Sequence, residues 1–474
     1  MTKRKNPIRG RLVAQARGGA EQIYGWSTEF GGAQSVLPDH QHTVGVVTVA
    51  KSPSKLSTAS HDYNREFFTR LLPQYEEIVY PFNPVLAPSD ISSTIDNMEH
   101  SLEDQALVYA FASVTIFLAQ RWDDTHDINM MRMDELMLKS LDAHRLADLR
   151  VGPDGHMVEE PQVSIKRIMT CIFLEVSMMA FRRFSRSFCL LREAITMIQI
   201  FQIDKHAKSS LDASRYQRLY WEAYIHERFL SIAAGYPSIL RPLPSGFPTS
   251  DPSIPANVEL GFNRLIALFL VMDEPLLAYW QGEQQNSVDI TAEWIENKQM
   301  QLDEDEASAI DAEKELQSTG RGSLTEVQHT DLFITRLWLR ILVWQLALSR
   351  GLLWSSLPNN VHEGLSLHFP AQRLSTQLRG LVGRLNSIAS IGTQGSGIIQ
   401  KLFEITSTIA DVLALPLGCD EEIQQASTHV EDFIFVVKFI FQFEQIREQQ
   451  KAYLREKLDL LRQLYPAVND NILY

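Results

Sequence analysis

Apolar residues recur every three to four positions from about residue 63 onward, which is the period of amphipathic α-helices. The windows that show this pattern are 63–79, 103–122, 133–149, 161–184, 187–203, 216–235, 258–280, 324–354, 369–388, 398–415 and 420–464. Convincing alternation of apolar and polar residues, the mark of β-strands, is absent. The pattern therefore predicts an all-α, multi-helix body. Pro-rich connectors follow two of its helices, at 81–88 and 237–255.

The helix predicted over residues 216–235 is unusual because it is apolar on most sides and still carries charged or ionisable groups. They are Arg218, Glu222, His226, Glu227 and Arg228. Gly235 followed by Pro237 is the order that ends helices. Charges beside a core cost free energy unless they are paired. We therefore expect Glu227 and Arg228 to be at least partly buried and hydrogen-bonded to other elements.

The same helix carries five side chains that combine apolar surface with hydrogen-bonding tips. They are Tyr216, Tyr220, Trp221, Tyr224 and His226. Ligand pockets favour this mixture, so these residues form a candidate effector pocket. The alternative is that neighbouring helices satisfy the polar tips and leave no cavity, and the residues alone keep both interpretations open.

Residues 1–60 differ from the rest of the chain in composition. Six cations precede the first acid, Glu21, and the remainder is rich in Gly, Ser, Gln and Thr, which predicts a disordered basic arm. The arm's candidate contacts with phosphate or the nuclear-import machinery are Lys3, Arg4, Lys5, Arg9 and Arg11. A solvated terminus without a function is the equal alternative.

Charge and cysteine usage exclude several classes of protein. The 474-residue chain has a net charge of −14, which argues against a body that binds DNA through a broad basic face. Its three cysteines, Cys171, Cys189 and Cys419, have neither disulfide nor metal-ligand spacing, so an intracellular protein without a bound metal is expected. No apolar run reaches the length of a membrane span, and no membrane association is expected.

Three motifs in sequence order carry a family resemblance. They are an Ala/Leu-rich helix at 105–120, the run from Ser187 through Leu190-Leu191-Arg192-Glu193-Ala194-Ile195, and Trp221 followed by Glu227-Arg228-Phe229-Leu230-Ser231 and Gly235-Tyr236-Pro237. Together they resemble the regulatory "middle homology" region of fungal transcription factors, the domain that follows a binuclear zinc cluster. The resemblance is best over residues 102–243. The second motif ends in Gln202-Ile203-Asp204 where family members carry Gly-Leu-His.

The resemblance implies a nuclear regulator without enzymatic activity, whose helical body at 61–474 modulates transcription, often in response to a metabolite. The implied partners are a small-molecule effector and either a second copy or a co-regulator protein. Family members hold zinc through six cysteines near the N-terminus, whereas here Cys171 is the first cysteine. We therefore expect no cofactor in this chain, and only weak DNA binding unless an upstream module supplies the zinc cluster.

Two other functions stay open. Asp123-Asp124-x-x-Asp127 at a helix end is similar to the magnesium-binding motif of terpene synthases, which would make the protein an all-α enzyme. The second metal motif of that family is missing downstream, which favours a solvated loop as the explanation of the three aspartates. The third hypothesis is a helical scaffold for protein interactions that binds no effector.

Overall fold

Nearly all regular structure in the protein is helical. The computed structural model describes residues 63–119, 126–148, 163–202, 212–281, 290–385, 395–415, 420–443 and 446–466. Over these ranges no strand forms, and one isolated bridge pairs Trp354 with Ser366. The prediction of an all-α fold is confirmed.

The N-terminal half of the described chain contains eight α-helices and one π-helical turn. They are α1 (Arg65–Thr69), α2 (Leu72–Gln74), the π-helical turn (Tyr75–Val79), α3 (Pro88–Asn97), α4 (Leu102–Ala119), α5 (His126–Asp148), α6 (Ile165–Ala180), α7 (Phe184–Phe201) and α8 (Ala213–Ala234). Helix α4 packs most extensively against α5 and α6, and α6 packs against α7. Helix α8 packs against α7 on one side and the C-terminal half on the other.

The C-terminal half contributes a second set of helices. They are α9 (Ala256–Leu270), α10 (Glu274–Trp280), α11 (Ala292–Ser318), α12 (Glu326–Arg350), a 3-10 turn (Glu363–Leu365), a π-helical turn (Pro370–Leu374), α13 (Ser375–Val382), α14 (Gly395–Leu413), α15 (Asp420–Ile440) and α16 (Glu448–Leu464). Helix α12 packs on α11 and α14, and α13 packs on α15. One contiguous cluster of buried apolar residues extends from Phe68 to Tyr465 and joins the two halves.

Helices α4 and α12 are long, strongly apolar parts of this cluster. Each contains an 18-residue window that is long and apolar enough to cross a membrane, contrary to what the sequence pattern suggested. The protein itself buries 61% of that window in α4 and 83% in α12. Core helices of soluble proteins have this property, because an all-round apolar helix needs protein contacts on every side.

Two predicted helices differ from the observed ones in their boundaries. The window 258–280 forms two helices because Asp273 caps α10, accepting a hydrogen bond from Leu276 N at 3.2 Å, and Pro275 follows in its first turn. The acid-rich residues 293–317, whose composition predicts a solvated helix or an inserted loop, form α11. It is anchored by ion pairs to buried arginines of α12, since Asp305 accepts from Arg336 at 2.7 Å and Asp303 accepts from Arg340 at 2.5 Å.

The end of α8 depends on Gly235, as its sequence context predicts. Gly235 has φ +67°, a left-handed conformation that costs side-chain-bearing residues about 1–2 kcal/mol. We expect Gly235→Ala to lower the free energy of unfolding by about that amount, although a Cβ there meets no atom within 4 Å. Gly380→Ala, in the middle of α13 and equally free of clashes, is the matched control and should be neutral or stabilising. Equal chemical denaturation midpoints for Gly235→Ala and wild type would contradict this assignment.

Candidate functional site

Helix α8 buries the charged pair in its centre. Glu227 and Arg228 are 1% and 5% exposed, so the expectation of burial is confirmed. The Glu227 carboxylate accepts hydrogen bonds from the backbone N–H groups of Ile239 and Leu240, both at 2.9 Å, and from Ser238 Oγ at 2.7 Å. The pair therefore holds the chain that leaves α8 against the helix itself.

Two arginines complete this arrangement. Arg228 donates to Leu240 O at 2.8 Å and to Ser238 Oγ, and its guanidinium lies 4.2 Å from the centre of the Tyr224 ring. Arg192, from the second motif on α7, donates to Glu227 at 2.9 Å and to Pro237 O. The second and third motifs of the sequence thus meet in one hydrogen-bonded unit.

Two of the five residues proposed for an effector pocket donate hydrogen bonds to the same loop. Tyr220 Oη donates to Arg241 O at 2.7 Å, and Trp221 Nε1 donates to Gly246 O at 3.0 Å. Tyr216 packs against Phe201, and Tyr224 lies under Arg228. The structure therefore directs three of the five residues toward α7 or the loop after α8, while Tyr224 contacts Arg228 of its own helix. His226 alone of the five lines the cavity described next.

A cavity of about 190 Å³ lies where the N-terminal helices, α8 and the C-terminal half meet. We call it the central cavity. Its walls come from the π-helical turn and from α4, α6, α8, α9, α12 and α14. Most lining residues are apolar, among them Phe117, Phe173, Phe229 and Phe269. A largely apolar cavity with a few convergent polar groups is the usual form of a small-molecule site.

The polar groups at one end of the central cavity form a chain of buried hydrogen bonds. His226 lies between two carboxylates, with Nδ1 at 2.6 Å from Glu175 and Nε2 at 3.1 Å from Glu222. Burial alone would lower the pKa of His226, but the two carboxylates outweigh it and raise the pKa to about 10. Burial raises the pKa of Glu222. Asn83 donates to Glu222 at 2.8 Å.

Lys401 on α14 is a further polar group of the cavity wall. It donates to Thr335 at 2.7 Å, lies 3.6 Å from Asp331, and is within 6 Å of the rings of Phe229 and Trp338. Burial lowers the pKa of the Lys401 ammonium, and Asp331 partly offsets this. The contacts with Thr335 and Asp331 hold α14 against α12. They also place the Lys401 ammonium at the cavity wall.

Comparison with known proteins gives one distant relationship. The chain is 21% identical over 259 residues to the probable sucrose utilization protein SUC1 of Candida albicans. The aligned part covers 53% of this chain and 47% of that protein, so the chain spans about half the length of the relative it matches. No family model matches the sequence, and no solved structure matches it. The relative is a fungal protein, and the sequence motifs of this chain resemble those of fungal transcription factors.

A second polar cluster lies outside the central cavity, and no sequence motif pointed to it. His144 on α5, Cys171 on α6 and Glu193 on α7 bring their donor atoms within 4.8 Å of one another. His144 Nε2 is 2.7 Å from Glu193, and this hydrogen bond holds the pKa of Glu193 below its usual value, whereas burial raises that of Cys171. The cluster links α5, α6 and α7 through a neutral thiol that lies beside a histidine–carboxylate hydrogen bond. The expectation that the chain binds no metal stays a prediction.

Several predicted sites fall outside the described residues. These are the basic-arm residues Lys3, Arg4, Lys5, Arg9 and Arg11, together with the side chains of Asp123, Asp124 and Asp127. The hypotheses of a basic arm and of an acidic metal motif therefore stay predictions.

The buried histidine predicts how stability depends on pH. The folded protein keeps His226 protonated up to about pH 10, whereas the unfolded chain loses that proton near pH 6.5. The folded state then binds more protons in this window, so stability falls as pH rises from about 6.5 to 10, by at most ~1.4 kcal/mol per pH unit. Denaturation at several pH values measures the slope, which we expect to be shallower in His226→Gln. The same change at the half-exposed His329 is the control; identical slopes for wild type and His226→Gln would refute the assignment.

Proposed function

We propose that this chain is a nuclear transcription regulator of the fungal type, and that its helical body modulates transcription when a small metabolite occupies the central cavity. The supporting observation is that the family motifs and the cavity share helix α8. Glu227 and Arg228 hold the loop after α8, while His226 and Phe229, their neighbours in sequence, line the cavity. A ligand that moves His226 or Phe229 therefore also acts on the hydrogen-bonded unit that Glu227 and Arg228 form with the loop after α8.

The distant similarity supports the general role in this proposal and not the identity of the ligand. A relative named for sucrose utilization supports a role in the use of nutrients, and a metabolite is the kind of ligand that fits such a role. A non-enzymatic role fits the cavity wall, because the ionisable lining residues are held in structural ion pairs: Glu175 and Glu222 share His226, and Asp331 pairs with Lys401. Contact with DNA, a co-regulator or a second copy, and nuclear import through the basic arm, belong to the proposal as well.

A transcription assay tests the proposal. The full chain is fused to a heterologous DNA-binding domain and expressed in yeast with a reporter gene that carries the matching site. We expect reporter output to differ from that of the DNA-binding domain alone, and to change with the carbon or nitrogen source. Output equal to the isolated domain in every medium, with the fusion abundant and nuclear, would contradict the proposal. A constant effect in all media would favour the protein-interaction scaffold.

A further inference from the structure

The size of the central cavity limits its ligand to one ring. Its volume is about 190 Å³. An engineered cavity of about 150 Å³ in another protein holds benzene. The central cavity therefore has room for a six-membered ring and a short chain, and it is too small for a disaccharide.

The wall of the cavity favours an aromatic ring over a sugar. Five phenylalanines line it, namely Phe82, Phe117, Phe173, Phe229 and Phe269. Aromatic rings pack favourably against one another, edge to face or offset. The hydroxyl groups of a sugar would lose their water against these side chains without gaining hydrogen bonds, and each such loss costs free energy.

The charges on the wall favour a cation. Three carboxylates line the cavity, those of Glu175, Glu222 and Asp331, against two cations, His226 and Lys401. One negative charge is thus not neutralised by the lining residues. An uncompensated charge next to an apolar space favours a ligand of opposite sign.

The hydrogen-bonding groups of the cavity wall also favour a cationic ligand that can donate hydrogen bonds. Asn83 is 6% exposed and donates through Nδ2 to Glu222, while its buried Oδ1 has no hydrogen-bond partner among the described residues. A buried acceptor without a partner costs about 1–3 kcal/mol, and a ligand that donates a hydrogen bond to it removes that cost. A primary ammonium offers three donors and a positive charge.

We infer that the central cavity binds a primary amine carried by a short chain on a single aromatic ring. The ammonium lies against Glu222 and Asn83, and the ring packs among the phenylalanines. The biological role of this amine rests on the proposed function, whereas its binding can be tested without it.

Calorimetry on the purified full chain tests the inference with a matched series of ligands. The probes are 2-phenylethylamine and tyramine; the controls are 2-phenylethanol, 3-phenylpropionate and sucrose. We expect the amines to bind at least ~10-fold more tightly than the alcohol, a difference of 1.4 kcal/mol, because only they supply the missing positive charge. We expect no binding of the carboxylate or the disaccharide. Failure of both amines to bind, or equal affinity for the alcohol or the acid, would overturn the inference.

Two variants locate the binding site. Glu222→Gln removes one carboxylate and should abolish the preference for amine over alcohol. Val176→Phe places a larger side chain in the cavity wall and should abolish binding of both. The control is Val361→Phe, another partly buried valine packed on the core and outside the cavity lining. If Glu222→Gln fails to fold, Asp331→Asn takes its place. Amine affinity unchanged in folded Val176→Phe would also overturn the inference.

The outcomes separate this inference from the proposed function. Amine binding without any reporter response would leave the inference standing and remove the regulatory role. A reporter response to another metabolite, with no amine binding, would do the reverse.

Discussion

Replacing Glu227 by alanine should lower the free energy of unfolding by about 3–5 kcal/mol, because it leaves a buried charge network without its central partner. The Glu227 side chain is fully buried and binds two backbone N–H groups, Ser238 and Arg192. Without the carboxylate, Arg228 keeps a buried positive charge and the N–H groups of Ile239 and Leu240 lose their acceptor. A loss of this size approaches the whole stability of a typical domain, about 5–15 kcal/mol.

Chemical denaturation followed by circular dichroism measures this effect. Glu66→Ala is the matched control, because Glu66 forms an exposed ion pair with Arg70, and exposed pairs contribute about 0–1 kcal/mol. The denaturation midpoint of Glu227→Ala should lie well below that of Glu66→Ala. If both midpoints are equally close to wild type, the hydrogen bonds of Glu227 are not what holds the loop after α8.

Arg340→Ala should have a similar effect of about 3–5 kcal/mol in the C-terminal half. Arg340 is fully buried on α12 and donates to Asp303 at 2.5 Å and to Glu306 at 3.2 Å, both on α11. Asp303 also accepts from His362 at 2.8 Å, and these partners keep its pKa below the usual range although burial opposes this. Removing the guanidinium leaves two acids facing each other beside the core.

The same denaturation measurement tests Arg340→Ala. Arg70→Ala, which breaks an exposed pair, serves as its control. Lowering the pH should reduce the difference between Arg340→Ala and wild type, because protonation of Asp303 removes the repulsion that the mutation exposes. A difference that is small, or that grows as pH falls, would contradict this role for Arg340.

The helices could be predicted because their information is local. A period of 3.6 residues placed nearly every long helix, and Gly235 marked the end of α8. Helix α3 carries its buried apolar residues mainly at Ile91 and Ile95, a signal too weak to detect. The division of 258–280 depends on Asp273 acting as a cap, which the apolar pattern does not reveal.

The candidate site could be predicted only in part because its groups come from distant segments. Glu175 lies 51 residues from His226 in sequence, and Lys401 comes from α14. The burial of Glu227 and Arg228 followed from their apolar neighbours. The partners of Tyr220 and Trp221 did not, because they are backbone carbonyls of the loop after α8. Backbone carbonyls of an irregular loop need hydrogen-bond donors from elsewhere in the protein. The Pro-rich loop after the helix was therefore the sequence signal for these contacts.

If occupancy of the central cavity controls transcription, filling the cavity with a larger side chain should remove the response, and the reporter output of a Val176→Phe fusion measures this. The wild-type fusion should change its output between media, and a coupling of 1–3 kcal/mol corresponds to changes of about 5–150-fold. The Val176→Phe fusion, equal in abundance and melting temperature, should stay at one level in all media, while Val361→Phe should respond like wild type. A Val176→Phe fusion that responds as fully as wild type would contradict the account.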